Sequence, residues 1–347
     1  MNEKRRFAHK MLKEIHEQPV ALRRTLDRTR DDVEHIAKRN ARKIRMIYFT
    51  GSGTSYHACI AANYLVSRVT NYPSSTLPAS EFSAWTGMAG HHPGAWLIAI
   101  SQSGESRDVI DAVRSAKLSR MRVLAVTNDA QSKLAKLADF SIASQAGREE
   151  AVTATKSFTS TLLATYEFVT ALTRHDELNA ELDRLPGLVE ETLRRCEKKC
   201  RVIASKFRDR EFLFLLGSGA NYASALEGAL KLKESCNIYA EGFASREFLH
   251  GPMQLVDKRT PVFILQHELS DESVELPDRF KRLGAPTIIV GPDTGARGSD
   301  AIEIPTGVND VFQPMSYVVP LQLFAYYSSI SRGLNPDQPT KLKKVVA

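Results

Sequence analysis

Across 347 residues the sequence has four cysteines and two tryptophans, and no apolar run near the ~20 residues that a membrane-spanning helix needs. A helical membrane protein is thereby excluded. Cys59, Cys196, Cys200 and Cys236 are too few and too scattered for a disulfide framework, and they fit a reduced, cytoplasmic chain. Cys196 and Cys200 lie four apart on a predicted helix with no His or Cys following at metal-finger spacing, so they read as helix-face residues. Cys59 and Cys236 are expected to pack beside strands. The basic start, Met1 to Phe7, lacks the apolar segment and small-residue cleavage site of an export signal. With 43% hydrophobic and 25% charged residues the composition is that of folded domains, two of them at this length.

Charge narrows the partner class. There are 47 Lys+Arg against 40 Asp+Glu, a net +7, which admits nucleic acid or phosphorylated metabolites. The excess gathers at Lys4-Arg5-Arg6 and at Lys341, Lys343 and Lys344. No basic stretch alternates with aromatics, and no helix-turn-helix or RNA-binding pattern is present. Small anionic molecules are the expected partners, with neither nucleic acid nor membrane.

Short apolar runs alternate with helical patterns, which predicts an α/β fold built from parallel sheets flanked by helices. The runs Met46–Phe49, Trp96–Ile100, Arg122–Val126 and Phe140–Ile142 recur as Phe212–Leu216, Val262–Leu265, Thr287–Val290 and Ile302–Ile304, about 165 residues later. The turns repeat too: Gly51-Ser52-Gly53-Thr54-Ser55-Tyr56 matches Gly217-Ser218-Gly219-Ala220-Asn221-Tyr222. The chain is read as two homologous three-layer α/β/α halves. Residues 1–40 form a helical arm (a lid or packing arm), 41–180 the first domain and 181–208 connecting helices. Residues 209–330 form the second domain and 331–347 a tail that closes the site. Residues 157–208 read as amphipathic helices interrupted at Leu185-Pro186-Gly187.

A strand entering Gly-x-Gly and then a helix offers backbone N–H groups to an anion. Tyr56 and Tyr222 occupy the third glycine position of the dinucleotide fingerprint, so a nicotinamide enzyme is not expected. Ser101-Gln102-Ser103-Gly104-Glu105-Ser106 carries the stronger signal: three hydroxyls and an amide at a helix start make a neutral, donor-rich phosphate cradle. An ordinary helix cap needs only one serine. The equivalent loop of the second half, Gln266-His267-Glu268-Leu269-Ser270, is acidic, which predicts a single phosphate site per chain. His91-His92, before Pro93, reads as structural or solvent-facing.

Lys231 and Glu234 stand at i, i+3 on the helix Ala225–Glu234, where a surface ion pair would be unremarked. Glu241, Glu247 and His250 follow within sixteen residues, and His250 precedes Gly251-Pro252, a turn from which an imidazole can reach a ligand. Lys344 lies in a tail that would otherwise pass as a solvated basic end.

These residues carry a resemblance. The motifs Glu14-Ile15-His16-Glu17-Gln18-Pro19, Gly53-Thr54-Ser55-Tyr56, Ala79-Ser80-Glu81-Phe82, Ser101-Gln102-Ser103-Gly104-Glu105, Thr155-Lys156-Ser157-Phe158, Ala225 to Glu234, His250-Gly251-Pro252 and Asp337-Gln338-Pro339 run in the order found in the double SIS (sugar isomerase) domain family. The chain resembles the isomerase half of glucosamine-6-phosphate synthases, and also stand-alone SIS-type deaminases. The resemblance implies phosphate binding by Ser101, Gln102, Ser103 and Ser106, with Ser55 nearby, and sugar contacts from Thr54 and Val152. Ser106 stands where the synthase commonly has threonine, which keeps the hydroxyl. It further implies Glu234 as the proton shuttle between C1 and C2, assisted by Lys231. His250 would open the sugar ring from the neighbouring subunit of a homodimer that shares its active sites, and Lys344 would act at the carbonyl.

Aldose–ketose interconversion needs a carboxylate that carries a proton between two carbons, an acid/base for ring opening and a cation near the developing charge. Glu234, His250 and Lys344 or Lys231 supply these without metal or organic cofactor. The synthase's glutaminase region has no counterpart in this sequence, which favours ammonia release: a glucosamine-6-phosphate deaminase. The alternatives are a fructosamine-6-phosphate deglycase, with Arg246 as candidate carboxylate receptor, and a non-catalytic sugar-phosphate-binding regulator.

Overall fold

The computed structural model describes residues 7–85, 93–173, 175–266, 271–292, 300–305 and 307–344. The expectations for His91-His92, for His267–Ser270 and for the terminal Val345-Val346-Ala347 lie outside these residues.

The first half opens with the long helix α1 (Lys10–Asn40), then β1 (Met46–Gly51), α2 (Thr54–Val69), β2 (Ser74–Pro78), α3 (Ala79–Trp85) and β3 (Ala95–Ile100). It continues through α4 (Arg107–Leu118), β4 (Arg122–Thr127), α5 (Lys133–Leu137), β5 (Phe140–Ala143) and α6 (Lys156–Thr173). After α7 (Asp176–Lys206) come β6 (Phe212–Gly217), α8 (Asn221–Cys236), β7 (Tyr239–Ala244) and β8 (Val262–Leu265). The chain finishes with α9 (Asp271–Arg282), β9 (Thr287–Gly291), β10 (Asp300–Glu303) and α10 (Pro314–Ser331). Each half holds a five-stranded sheet, ordered β2-β1-β3-β4-β5 in one and β7-β6-β8-β9-β10 in the other, with every pairing parallel. The two orders are the same. The duplication read from the sequence is thus a duplication of topology.

Alternation along the strands assigns the layers. Ile47, Phe49, Ile98, Ile100, Leu124 and Val126 face one way, into a core that also takes in Leu213, Leu215, Phe263, Leu265, Ile288 and Val290 of the second sheet. Between the sheets lie the inner helices of both halves. On the far side of the first sheet, Leu97, Ala99, Val123 and Ala125 meet Phe82 of α3, Val109 and Val113 of α4 and Leu134 of α5. Phe214, Leu216, Val262 and Ile264 do the same on the far side of the second.

Three sequence readings change. The strands β2 and β7 were not among the predicted runs; both are edge strands, half-buried and polar (Ser74-Ser75-Thr76; Tyr239-Ala240-Glu241), so they lack the apolar run of a central strand. Leu185-Pro186-Gly187 does not interrupt the chain: α7 continues through Pro186, because Leu182, Leu185, Val189 and Leu193 form one buried stripe whose packing outweighs the lost hydrogen bond. The α6 helix is not amphipathic. It is buried on all sides, with Leu162, Tyr166 and Phe168 in the core beside Thr159, Thr161 and Thr165. The N-terminal arm is a single helix, α1, packed against α6, α7 and α10 through Met11, Ile15, Leu22, Leu26 and Val33.

Glu167 of α6 is buried against α1, where the Thr29 hydroxyl donates to it at 2.5 Å and the Arg30 Nε lies 4.0 Å away. Burial pushes its carboxyl up to about 7, against the smaller opposing effects of Thr29 and Arg30. The native state therefore holds this proton more tightly than the unfolded chain, so the stability it confers is full below the unfolded value and is lost as pH rises through about 7. Glu167→Gln is expected to remove roughly 3 kcal/mol of the stability difference between pH 4.5 and pH 8, measured by urea unfolding at both.

Candidate active site

In a 2-1-3-4-5 parallel sheet, ligands bind beyond the carboxyl ends of the strands where the order reverses, here between β1 and β3. The first sheet has a cavity of about 260 Å³ at that place. Thr54 and Ser55 enter it from the first turn of α2, and Ser101, Gln102, Ser103 and Ser106 from the loop between β3 and α4. Val152 borders it from the segment that leads into α6, Ser157 from the first turn of α6, Glu234 from α8, and Lys344 from the tail. Of the sequence-predicted residues, nine therefore meet in one cavity that draws on both halves and the tail.

The cradle is shaped by its own hydroxyls. Ser101 Oγ accepts from the Gly104 N–H and Ser103 Oγ from the Glu105 N–H, each at 3.2 Å. Ser106 stands at the N-cap of α4 without its hydroxyl capping that helix, which leaves it for a ligand. Gly104 has a φ of +65°, and a Cβ there would fall 2.2 Å from Ser132 Oγ, so only glycine permits this turn. The N-termini of α2 and α4 both adjoin the cavity and favour an anion. The N-terminus of α6 is already occupied: Glu149 accepts from the N–H groups of Thr155 (2.8 Å) and Ser157 (3.2 Å).

Lys231 is fully buried behind the cavity wall. Its Nζ lies 2.8 Å from Glu234 Oε2 and 3.0 Å from Glu227 Oε1, and donates to Thr54 Oγ1 at 3.0 Å. Thr54 in turn donates to Glu227 Oε1, and His57 Nδ1 lies 2.7 Å from Glu227 Oε2. Burial opposes both charges, but their mutual attraction outweighs it. Lys231 and His57 hold the Glu227 carboxyl below its usual range, and Glu227 and Glu234 hold the Lys231 ammonium above its own. Of this group only Glu234 and Thr54 reach the cavity, so Lys231 acts on a ligand through them.

On the opposite wall the Lys344 ammonium donates to Glu149 Oε2 at 2.9 Å and to the Ala151 carbonyl at 2.6 Å. Glu149 has no exposed surface on its side chain. Burial works against its charge, yet Lys344, Ser157 and the Thr155 N–H more than offset that and hold its carboxyl below the usual range. Two predicted catalytic residues do not line the cavity: Lys231, behind its wall, and His250, which ends a short 3-10 helix, Glu247–His250, and is exposed. Arg246 is likewise not among the cavity-lining residues.

Glu227, His57 and Glu149 were missed from sequence. Superposing the repeats aligns His57 with Ala223 and Glu227 with Ala61, so each is polar in one copy and apolar in the other, a usable signal. Glu149 offers no such pattern. All four cysteines are unpaired and buried; Cys200 and Cys236 point their thiols at the carbonyls of Pro320 and Ala325 in α10. Among the described residues no three His, Cys, Asp or Glu side chains gather in a way that could hold a metal, and no helix is long and apolar enough to cross a membrane.

Lys231→Met leaves Glu227 charged and buried without its cation. The unfolding free energy is expected to fall by about 3–5 kcal/mol, with part of it restored by adding Glu227→Gln; urea denaturation of the single and double variants checks this.

The sequence profile of the SIS domain matches residues 41–171 and again 206–332. The chain is 38% identical over 355 residues to glutamine–fructose-6-phosphate aminotransferase (isomerizing) of Methanothermobacter thermautotrophicus, an alignment that covers 100% of this chain and 58% of that protein. It thus spans a little over half the length of that relative. Among solved structures, the C-terminal domain of glucosamine-fructose-6-phosphate aminotransferase from Francisella tularensis superposes with a TM-score of 0.89 at 31% identity, covering 97% of this chain and 100% of that one. Glucosamine-6-phosphate deaminase from Thermotoga maritima superposes with a TM-score of 0.79 at 25% identity, covering 97% and 99%. With two matched domains that together take in most of its length, the chain belongs to the SIS-domain family and is homologous to the isomerase half of these aminotransferases.

Proposed function

We propose that this chain converts glucosamine 6-phosphate and water into fructose 6-phosphate and ammonia. The observation that carries the proposal is that a neutral hydroxyl cradle and the pair Glu234 and Lys344 line one cavity. A phosphate in the cradle of Ser101, Gln102, Ser103, Ser106 and Ser55 fixes the far end of the sugar, and Thr54 and Val152 contact its middle. C1 and C2 are then presented to Glu234. Glu234 takes the proton from C2 of the opened sugar and returns it to C1; the C2 amine becomes an imine, which water cleaves to the ketone and ammonia. Lys231 keeps the Glu234 carboxylate oriented, and Lys344 supplies positive charge beside the carbonyl oxygen as electrons move onto it. The likeness to a deaminase over nearly its full length supports this choice of reaction. Four unpaired, buried cysteines suit a reducing compartment such as the cytoplasm.

The proposal assigns ring opening to His250 of a second copy, since His250 lies away from the cavity of its own chain. Two measurements check these assignments. Incubation with glucosamine 6-phosphate is expected to yield equal amounts of ammonia and fructose 6-phosphate, and Glu234→Gln to cut kcat by roughly 10²–10⁴-fold with substrate still bound. Turnover of a fructosyl-amino-acid 6-phosphate instead would make the chain a deglycase, and sugar-phosphate binding without turnover a sensor. In the second measurement, His250→Ala and Glu234→Gln chains, each inactive, are mixed after dissociation. Hybrid dimers regain one intact site, so about a quarter of wild-type activity returns if His250 works across subunits, and none if it works within its own.

A further inference from the structure

The segment between β5 and α6, residues 144–155, borders the cavity through Val152 and Ala154 but has no helix or strand of its own. Its backbone is held instead by carboxylates. Glu149, within the segment, takes the N–H groups ahead of α6. Glu14 reaches across from α1: Oε1 accepts the Glu150 N–H at 2.5 Å and Oε2 the Ala151 N–H at 3.2 Å. The other face of Ala151, its carbonyl, accepts the Lys344 ammonium at 2.6 Å. The next N–H, that of Val152, donates to the Asp337 carbonyl in the tail, and the Asp337 carboxylate accepts from the N–H groups of Lys10 and Met11 at the start of α1. The first turns of α1, the segment 149–152 and the tail thus close into a ring of hydrogen bonds around Lys344.

We infer that Glu14 is a positioning residue for Lys344, acting through the Ala151 peptide group. The inference rests on the proposed role of Lys344 at the sugar carbonyl. Three features separate this from plain packing. Glu14 is 2% exposed, yet among the described residues no ammonium or guanidinium is bonded to it; Lys156, the cation of α6, is paired with Glu17 at 2.6 Å. Burial drives its carboxyl up to about 7 in spite of the two N–H groups, with Glu149 adding repulsion, so an anion here is a cost that a neutral side chain would avoid. The cost is matched to a geometry that a neutral side chain cannot reproduce: two parallel acceptors for two consecutive N–H groups. A carboxylate on its N–H side also polarises the Ala151 peptide, strengthening the carbonyl as an acceptor for Lys344. Because Lys344 sits beyond the last regular element among the described residues, its place in the cavity depends on these acceptors rather than on a helix or strand.

Glu14→Gln keeps the shape and one acceptor, and Glu14→Met keeps neither; both are tested in the full chain. Amide hydrogen exchange is expected to quicken by about tenfold or more in peptides covering 149–157 and 336–344, in the order Met above Gln, while peptides covering 95–127 stay as in wild type. With glucosamine 6-phosphate, Glu14→Gln is expected to lower kcat roughly 10-fold to 10²-fold with KM within about twofold, and to have no further effect when Lys344→Ala is already present. Unchanged exchange in both segments overturns the inference, as does faster exchange throughout the chain. Losses that multiply in the Glu14→Gln, Lys344→Ala double variant overturn it as well, because Glu14 would then act elsewhere. If the wild-type protein turns over no sugar phosphate, the proposed reaction fails and the exchange measurement alone decides whether Glu14 holds Lys344.

Discussion

A lysine ammonium without exposed surface must be surrounded by anions, since its desolvation costs far more than the margin by which a protein stays folded. Lys231 meets that demand with Glu227 and Glu234 at 3.0 and 2.8 Å, and much of the site follows. The carboxylates sit one turn before Lys231 and one turn after it on α8, so the helix itself fixes their spacing. Glu227 in turn engages Thr54 and His57, which locks the start of α2 to α8 across the boundary between the halves. Glu234 is left as the half-buried, cavity-facing end of an alternating row of charges, with one oxygen beside Lys231. Its orientation is set before any ligand arrives.

The duplication explains the fold, and the departures from it explain the site. Helices α2 and α8 are equivalent in the two repeats and pack on one another, yet the positions that match Glu227 and Lys231 of α8 are Ala61 and Leu65 in α2. In the first copy those positions are buried and apolar, as a helix junction asks. A symmetric pair of charged helices would have brought two buried ammonium groups together; one charged helix against one apolar helix with a threonine and a histidine at its start does not. The cradle shows the same division, with Ser101 and Ser103 in one copy and Gln266 opposite Ser101 in the other.

The readable parts of the sequence are those where a residue's environment is set by its near neighbours. The six central strands announce themselves because they are apolar on both faces, and the edge strands β5 and β10 still carry short apolar runs, whereas the edge strands β2 and β7 do not. Pro186 reads as a break only until the buried leucines on either side of it are placed against other helices. In the site, the hydroxyl cluster around Gly104 is local and legible, and so is the i, i+3 pair Lys231 and Glu234. His57 and Glu227 are 170 residues apart, Glu149 and Lys344 are 195 apart, and Glu14 and Ala151 are 137 apart. Nothing in the local pattern of any of them shows the partner. Lys344 was noticed only through family resemblance; physically it is a tail lysine until Glu149 and Ala151 are beside it.

The separation of charge within the cavity has a consequence for how a sugar phosphate would lie. The cradle offers hydroxyls, an amide and two helix N-termini, whereas the ammonium groups of Lys231 and Lys344 are each already neutralised by a carboxylate. A phosphate drawn to a bare cation would compete with the reacting carbons for that cation. Here Lys344 is held by Glu149, and Lys231 is walled off behind Glu234 and Thr54, so neither attracts the phosphate strongly. Neutral donors bind an anion less tightly than charged ones but in a more directional way. In the proposed binding mode an elongated ligand with one anionic end lies with its phosphate toward α4 and its carbonyl toward Glu234. The cavity need not bind it tightly to bind it the right way round, which leaves interaction energy for the proposed proton transfer.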